Sequence, residues 1–215
     1  MKILNSFILF FVSVIICANV HAGTSTPKRY PKSFSGIINY EISGSTITGT
    51  EVVYYDDWGR REAIYTKTTM DLAGVTVDRY TLTILEENGQ WINTIDLNAR
   101  TGMRMRNPRY KDYVGKSSRE LEKITKNNLI DAGAHKAEFE WIAGKTCVVW
   151  EKKYTSVKTC TWNGIILKKI TGTGFSRITK VATEIKEHVT IPEEKFTIPP
   201  DIEMKTVNIS TLHGN

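Results

Sequence analysis

The chain has 215 residues, a formal net charge of +6, 40% hydrophobic residues and 24% charged residues. That is enough apolar material for one domain with a real core, and no repeat, low-complexity block or linker divides it. No His-Glu-x-x-His, Gly-x-Ser-x-Gly or phosphate-cradling glycine loop occurs, so the common hydrolase and nucleotide-binding signatures are missing.

The first segment reads as an export signal over 1–22. Lys2 is a minimal positive start, Ile3 to Ile16 is apolar, and Val20-His21-Ala22 precedes a cut before Gly23. As a retained anchor the apolar run is short of the ~20 residues that span a bilayer. Lipid attachment at Cys17 needs a small residue before it, and Ile16 is not small. Processing takes the charge from +6 to +5 as Lys2 is lost. The expected product is periplasmic or extracellular and does not span the membrane. Basic excess in an exported protein points to an anionic membrane surface, or to simple solubility, rather than to nucleic acid.

Residues 23–32 are polar with two prolines and read as a flexible leader; 33–204 read as one β-rich domain and 205–215 as a loose tail. Phe34 to Ile42 alternates as a strand. Gly49 to Lys67 reads as a hairpin turned at Asp56-Asp57-Trp58-Gly59, where Gly59 supplies positive φ and the aspartates bond local backbone. Both parities of Val52–Tyr55 are apolar or aromatic, so this strand expects cover on both faces. Val75 to Leu85 and Gln90 to Leu97 are joined through Asn88-Gly89, a strong hairpin signal. Met103 to Arg106 completes a meander of about six strands.

A single helix follows, over Ser117–Ile130. Ser117 and Glu120 fit a capping box, Leu121, Ile124 and Leu129 give a thin apolar stripe, and Gly133 is a left-handed stop. Strands resume at His135–Trp141, Thr146–Glu151, Val157–Trp162 and Ile165–Thr171. A long strand follows over Phe175–Val189, where Ile178, Ala182 and Ile185 break alternation and call for a bulge. Ile191 to Pro200 reads as an extended, proline-rich piece along a sheet edge.

The mature chain has two cysteines, Cys147 and Cys160, bound for an oxidising compartment, which reads first as a disulfide. Direct opposition in a hairpin also sets Glu151 against Ser156 across a loop of Lys152 to Thr155, with Cα atoms ~4.5–5.5 Å apart; a diagonal offset of ~7–8 Å is too wide. The alternative is two buried free thiols. Without nearby histidines the pair makes no zinc signature, and no cofactor or metal is expected.

Two feature sets bear on binding. Tyr54, Trp91, Met103, Met105, Trp150 and Trp162, with Leu121 and Ile124 of the helix, are candidates for lining an apolar pocket; the plainer reading is ordinary core. Arg100, Arg104, Arg106, Arg109 and Lys111 are candidates for a basic rim facing an anionic membrane or ligand; the plainer reading is a solvated loop. Asp56 and Asp57 are turn-formers before they are acid–base groups.

Gly49-Thr50-Glu51 with Tyr54-Tyr55-Asp56-Asp57-Trp58-Gly59-Arg60-Arg61-Glu62 resembles a segment of exported bacterial proteins of the LolA/LolB-like fold. Gly144-Lys145-Thr146-Cys147, Val149-Trp150-Glu151, Trp162-x-Gly164-Ile165-x-Leu167-Lys168 and Ile191-Pro192 with Phe196-Thr197-Ile198-Pro199 fit as well. The resemblance implies a mainly β fold: a curved antiparallel sheet, or incomplete β-barrel, with one main helix packed on its concave face. It also implies ligands such as lipid or lipoprotein acyl chains. The expected function is a non-enzymatic, periplasmic carrier or binding protein for an apolar ligand. A protein-interaction or sensor module is the alternative, and a hydrolase with a convergent site around His135 or His188 a third reading.

Overall fold

The computed structural model of the chain describes residues 28–208 except Pro31 and Tyr154. The expected signal over 1–22, the start of the expected leader and the end of the expected tail lie outside the described residues. The described residues form one open sheet of 12 strands with two helices and four short 3-10 turns. The first half is the expected meander: β1 (Gly36–Gly44), β2 (Ile47–Asp56), β3 (Arg61–Leu72), β4 (Val75–Glu86), β5 (Trp91–Asp96) and β6 (Thr101–Arg106). A single helical turn, α1 (Tyr110–Tyr113), leads into α2 (Ser118–Asp131). Then come β7 (Ala134–Ile142), β8 (Lys145–Lys152), β9 (Lys158–Trp162), β10 (Ile165–Thr171), β11 (Ile178–Glu187) and β12 (Glu203–Val207). The spatial order is β12-β6-β5-β4-β3-β2-β1-β11-β10-β9-β8-β7, antiparallel throughout except for β12 beside β6.

The β2–β3 hairpin sits centrally, and its alternation is used on both faces. Val53 and Tyr55 enter one buried cluster with Ile38, Tyr40, Cys147, Val149, Cys160, Ile165 and Leu167. Tyr54 enters the other, around Ala63, Leu82, Ile84 and Ile95. The first cluster shows that the sheet curls. Between β2 and β8 stand four strands, so a flat sheet would hold Val53 and Val149 about 24 Å apart. They share one core instead. The concavity beside β1 and β2 is thus filled by the sheet's own β8–β10, and no residue of α2 belongs to either buried cluster.

The second face is covered by the chain's end. The expected extended piece along an edge is instead a cover: Ile191 and Phe196 are buried on Ala63, Leu82 and Ile84, with a 3-10 turn over Glu193–Phe196. Apolar side chains at Ile191, Phe196, Ile198 and Ile202 explain the placement, since an exposed edge would leave them in water. Only afterwards does the chain reach an edge, as β12, so Lys205–Val207 are paired strand rather than loose tail. The bulge expected in the long strand is present, where the β1–β11 register slips between Asn39 and Tyr40. Phe175 is not part of that strand; it lies in a 3-10 turn and is 80% exposed.

The leader's last residues are part of the fold. Tyr30 is buried, its ring packs edge-on against Tyr55 at 5.0 Å, and its hydroxyl donates to the buried Glu62 carboxylate. Arg29 pairs with Glu62 at 3.4 Å and donates to the Gly59 carbonyl. Trp58 N–H donates to Phe34 O at 2.8 Å and Tyr30 N–H to Trp58 O at 3.0 Å, so the segment is clamped on the β2–β3 turn. That turn runs through positive φ at Asp57, Trp58 and Gly59, and Asp56 accepts from Asp57 N–H as expected of turn chemistry. Gly59 has a further role. A Cβ there would stand 2.5 Å from the Tyr30 ring.

Cys147 and Cys160 are bonded, with Cα atoms 5.5 Å apart. The register is not the one expected. Val149 stands opposite Cys160 and Glu151 opposite Lys158, so Cys147 lies diagonal to its partner. The regular ladder stops at Val148 and Thr161, and right-handed strand twist shortens one diagonal of an antiparallel pair at the expense of the other. The flat-sheet spacing used to exclude a diagonal bond does not hold at the frayed end of this hairpin.

Candidate functional site

Helix α2 forms where its local signals put it. Glu120 N–H donates to Ser117 Oγ, and Ser117 N–H donates back to Glu120 at 2.7 Å, a complete capping box. The Ser117 N–H, with the Ser117 hydroxyl donating to the same carboxylate, holds the exposed Glu120 carboxyl below its usual range. Gly133, at φ 81, ends the helix and its N–H donates to Ile130 O. The stripe Leu121, Ile124 and Leu129 is only half-buried, and the rest of the described helix surface is exposed.

The stripe instead overlooks two adjoining clefts of about 310 Å³ each. In the first, Leu121, Thr125 and Leu129 face Val148, Trp150 and Thr161. In the second, Leu121, Ile124 and Asn128 face Tyr30, Leu85, Asn107 and Arg109. Arg29, Leu121, Thr125 and Gly164 border both. Side chains alternate along a strand, so Val148 and Trp150 lie on the face of β8 opposite Cys147 and Val149. Beside β8 the helix therefore faces the surface opposite Cys147 and Val149, whereas in the second cleft it faces Leu85, which stands in register with Glu62 and Tyr55 on the inner side. Its stripe was legible; the face it meets was not, because that depends on the curl.

Of the expected lining, Leu121, Ile124 and Trp150 come together here. Tyr54 is on the other side of the sheet, edge-on to Tyr65 at 5.7 Å beneath the C-terminal cover. Trp162 packs at the inner cluster under Lys145. Trp91 lies with the Arg104 and Arg106 guanidinium groups 4.7 and 5.2 Å from its ring. Met105 is half-buried and Met103 is 47% exposed on β6. Leu85, Leu129 and Val148 line the clefts without having been singled out; only Leu129 carried a signal, as the third member of the helix stripe.

The basic residues do not form one open rim. Arg100 pairs with Asp201, and Arg104 reaches Glu86 and Glu87 at 3.2 and 3.3 Å. Arg109 pairs loosely with Asp112 at 3.5 Å and borders the second cleft. Lys111 is exposed on α1. Lys126, on α2, adds a cation to the first cleft.

Buried tyrosines carry the main ionisation shifts. Burial, followed by the Glu62 charge, holds the Tyr30 phenol well above its usual range. Burial, with Glu51 next, does the same to Tyr40, and burial also raises Tyr55 and Tyr65. A separate cleft of about 330 Å³ brings His188 beside Asp56 and Ser35. Ser35 Oγ donates to Val189 O at 2.7 Å, so its hydroxyl is committed to the main chain rather than to the imidazole. No group of three or more His, Cys, Asp or Glu side chains suited to a metal ion occurs among the described residues. Among them, too, no helix is long and apolar enough to cross a membrane.

No protein-family model matches the chain, and no curated protein sequence matches it. Among solved structures it is similar to an uncharacterized conserved protein from Thermus thermophilus, at 6% identity and TM-score 0.49, over 83% of this chain and 95% of that one. It is similar to the MucA/MucB complex structure of Pseudomonas aeruginosa at 11% identity and TM-score 0.44, over 84% of this chain and 60% of that one. A β-barrel-like protein of domain of unknown function DUF1849 from Brucella abortus matches at 8% identity and TM-score 0.40, over 73% of this chain and 99% of that one. At TM-scores below 0.5 these likenesses carry no fold or activity over to this chain.

Proposed function

We propose that the protein is a non-enzymatic, exported binding protein that takes an apolar, lipid-like ligand beneath α2. One observation carries the reading: an amphipathic helix with intact caps leaves its apolar stripe outside both buried clusters and over a cleft. A helix of this length owes its stability mainly to what its apolar face buries, so a stripe only half-covered is suited to a ligand that completes it. The lining fits, with Leu121, Leu129, Val148 and Trp150 for an apolar chain and Arg109 and Lys126 at the borders for an anionic end. The LolA/LolB-like resemblance implies ligands of this kind, and an anionic membrane surface is the natural place to collect one.

The test is uptake of a fluorescent fatty acid by the mature protein, with native mass spectrometry of material purified gently from the periplasm. Leu121→Asp and Leu129→Asp should each weaken uptake at least tenfold while leaving unfolding by urea nearly unchanged. A clean apo mass together with no uptake sinks the proposal. A protein ligand is the second reading, favoured by the exposed aromatic edge strand β7 beside the first cleft; a single dominant protein in a crosslinking pull-down, with no bound lipid, would select it.

A further inference from the structure

We propose that β7 is a self-association edge, along which two copies of the chain pair antiparallel about a two-fold axis at Glu140. Strand β7 ends the sheet order, so one side of its backbone ladder has no strand beside it among the described residues. An open edge is a template for pairing, and native chains usually cover or blunt it. The opposite edge is the short β12. Strand β7 has nine residues and carries Phe139 and Trp141 at 61% and 73% exposure.

These two aromatics share a face. Phe139 stands opposite Val148 and Trp141 opposite Thr146, two residues apart on each strand. The row continues from Phe139 through Val148 and Thr161 to Ile166, itself 39% exposed. The bulge between Lys136 and Phe139 splits the regular pairing with β8 into Ala134–Lys136 and Phe139–Ile142, and the second run carries both aromatics. A two-fold axis perpendicular to the sheet keeps each face with itself, so the pairing must be centred on a residue. Centring on Trp141 would set Phe139 against the turn at Ala143. Centring on Glu140 sets Phe139 against the partner's Trp141 and Trp141 against the partner's Phe139, the aromatic cross-strand pairing that sheets favour.

The charge on the axis is already answered. Glu140 lies on the other face, and Lys168 Nζ donates to it at 2.7 Å. Each copy brings its own carboxylate–ammonium pair, so two Glu140 side chains meet as four alternating charges rather than two like ones. The match of the aromatic pair to itself and the built-in counterion together specify a second copy of this chain as the occupant.

Sedimentation velocity of the mature protein tests this. A short strand pair gives a small interface, so the mass should rise from monomer toward dimer between about 1 and 200 µM. Trp141→Glu should weaken the dimer at least tenfold, and its position on the surface keeps the fold. As an independent readout, Glu140→Cys should form an intermolecular disulfide under mild oxidation, whereas Glu138→Cys, off the axis, should not. A chain that stays monomeric across the range overturns the proposal. So does a dimer indifferent to Trp141→Glu, or one that crosslinks as readily through position 138.

Discussion

Replacing Gly59 by alanine is expected to unseat Tyr30, and Gly74 supplies the control. Both glycines hold positive φ, 76 at Gly59 and 86 at Gly74. An L-residue in that region costs about 1–2 kcal/mol, so both variants carry this penalty on the backbone. They differ in what the new methyl meets. At Gly74 nothing lies within 4 Å, whereas at Gly59 the methyl would stand 2.5 Å from Tyr30 Cδ2 and 2.8 Å from Cε2. The ring is only 9% exposed, and displacing it forfeits about 1.5–3 kcal/mol of burial. It also removes a donor from Glu62, itself only 5% exposed. Gly59→Ala should therefore lose about 3–5 kcal/mol, against about 1–2 for Gly74→Ala, with the gap disappearing in a Tyr30→Ala background. Urea unfolding followed by tryptophan fluorescence reads all four proteins. Equal losses for the two glycine variants in the parent chain would refute the claim that Gly59 exists to seat Tyr30.

Four further outcomes follow from the geometry. Because burial raises Tyr30, Tyr40, Tyr55 and Tyr65, the folded chain keeps protons that the unfolded chain releases above about pH 10. Their contribution is complete below pH 10 and falls as pH rises, by up to about 1.4 kcal/mol per unit for Tyr30 alone, so urea midpoints should drop only above that pH, less steeply in Tyr30→Phe. The Cys147–Cys160 bond closes a separation of 13 residues, and the double alanine variant should lose about 3 kcal/mol; a loss under about 1 would mean that the unfolded loop is already restrained. Ser117→Ala removes the cap of a helix that contributes to neither buried cluster, so amide exchange in α2 should accelerate by a factor matching about 1 kcal/mol while the global midpoint stays in place. Asn93 is fully buried between Ile84 and Arg104 with no hydrogen-bond partner for its amide, so Asn93→Val should gain about 1 kcal/mol in urea, and a loss would show that the amide is satisfied in solution.

What was legible in the sequence is what short-range chemistry decides. The turns at Asp56–Gly59 and Asn88–Gly89 are written in residues that tolerate positive φ, and the helix start in one serine and one glutamate. The two-sided burial of Val53, Tyr54 and Tyr55 followed from their types alone. Non-local geometry was not legible. Nothing in Cys147 or Cys160 shows the twist that brings a diagonal pair within bonding range. Tyr30 sits among polar neighbours and gives no sign that it fills the hollow over a glycine 29 positions later. The helix stripe announced itself, but whether it meets the inner or outer surface of β8 depends on how far six strands curl.

The clamp made by Arg29, Tyr30 and Phe34 has a bearing on the order of assembly. Arg29 O also lies 2.8 Å from where a Cβ on Gly164 would stand, so one short segment is pressed between the β2–β3 turn and the turn joining β9 to β10. A chain delivered amino-terminus first presents that segment at the outset, yet its second seat does not exist until residue 164 has followed. Tyr30 can meet Tyr55, Gly59 and Glu62 early, but the clamp closes on its second side only after the β9–β10 turn has formed, a long-range step of the kind that slows folding.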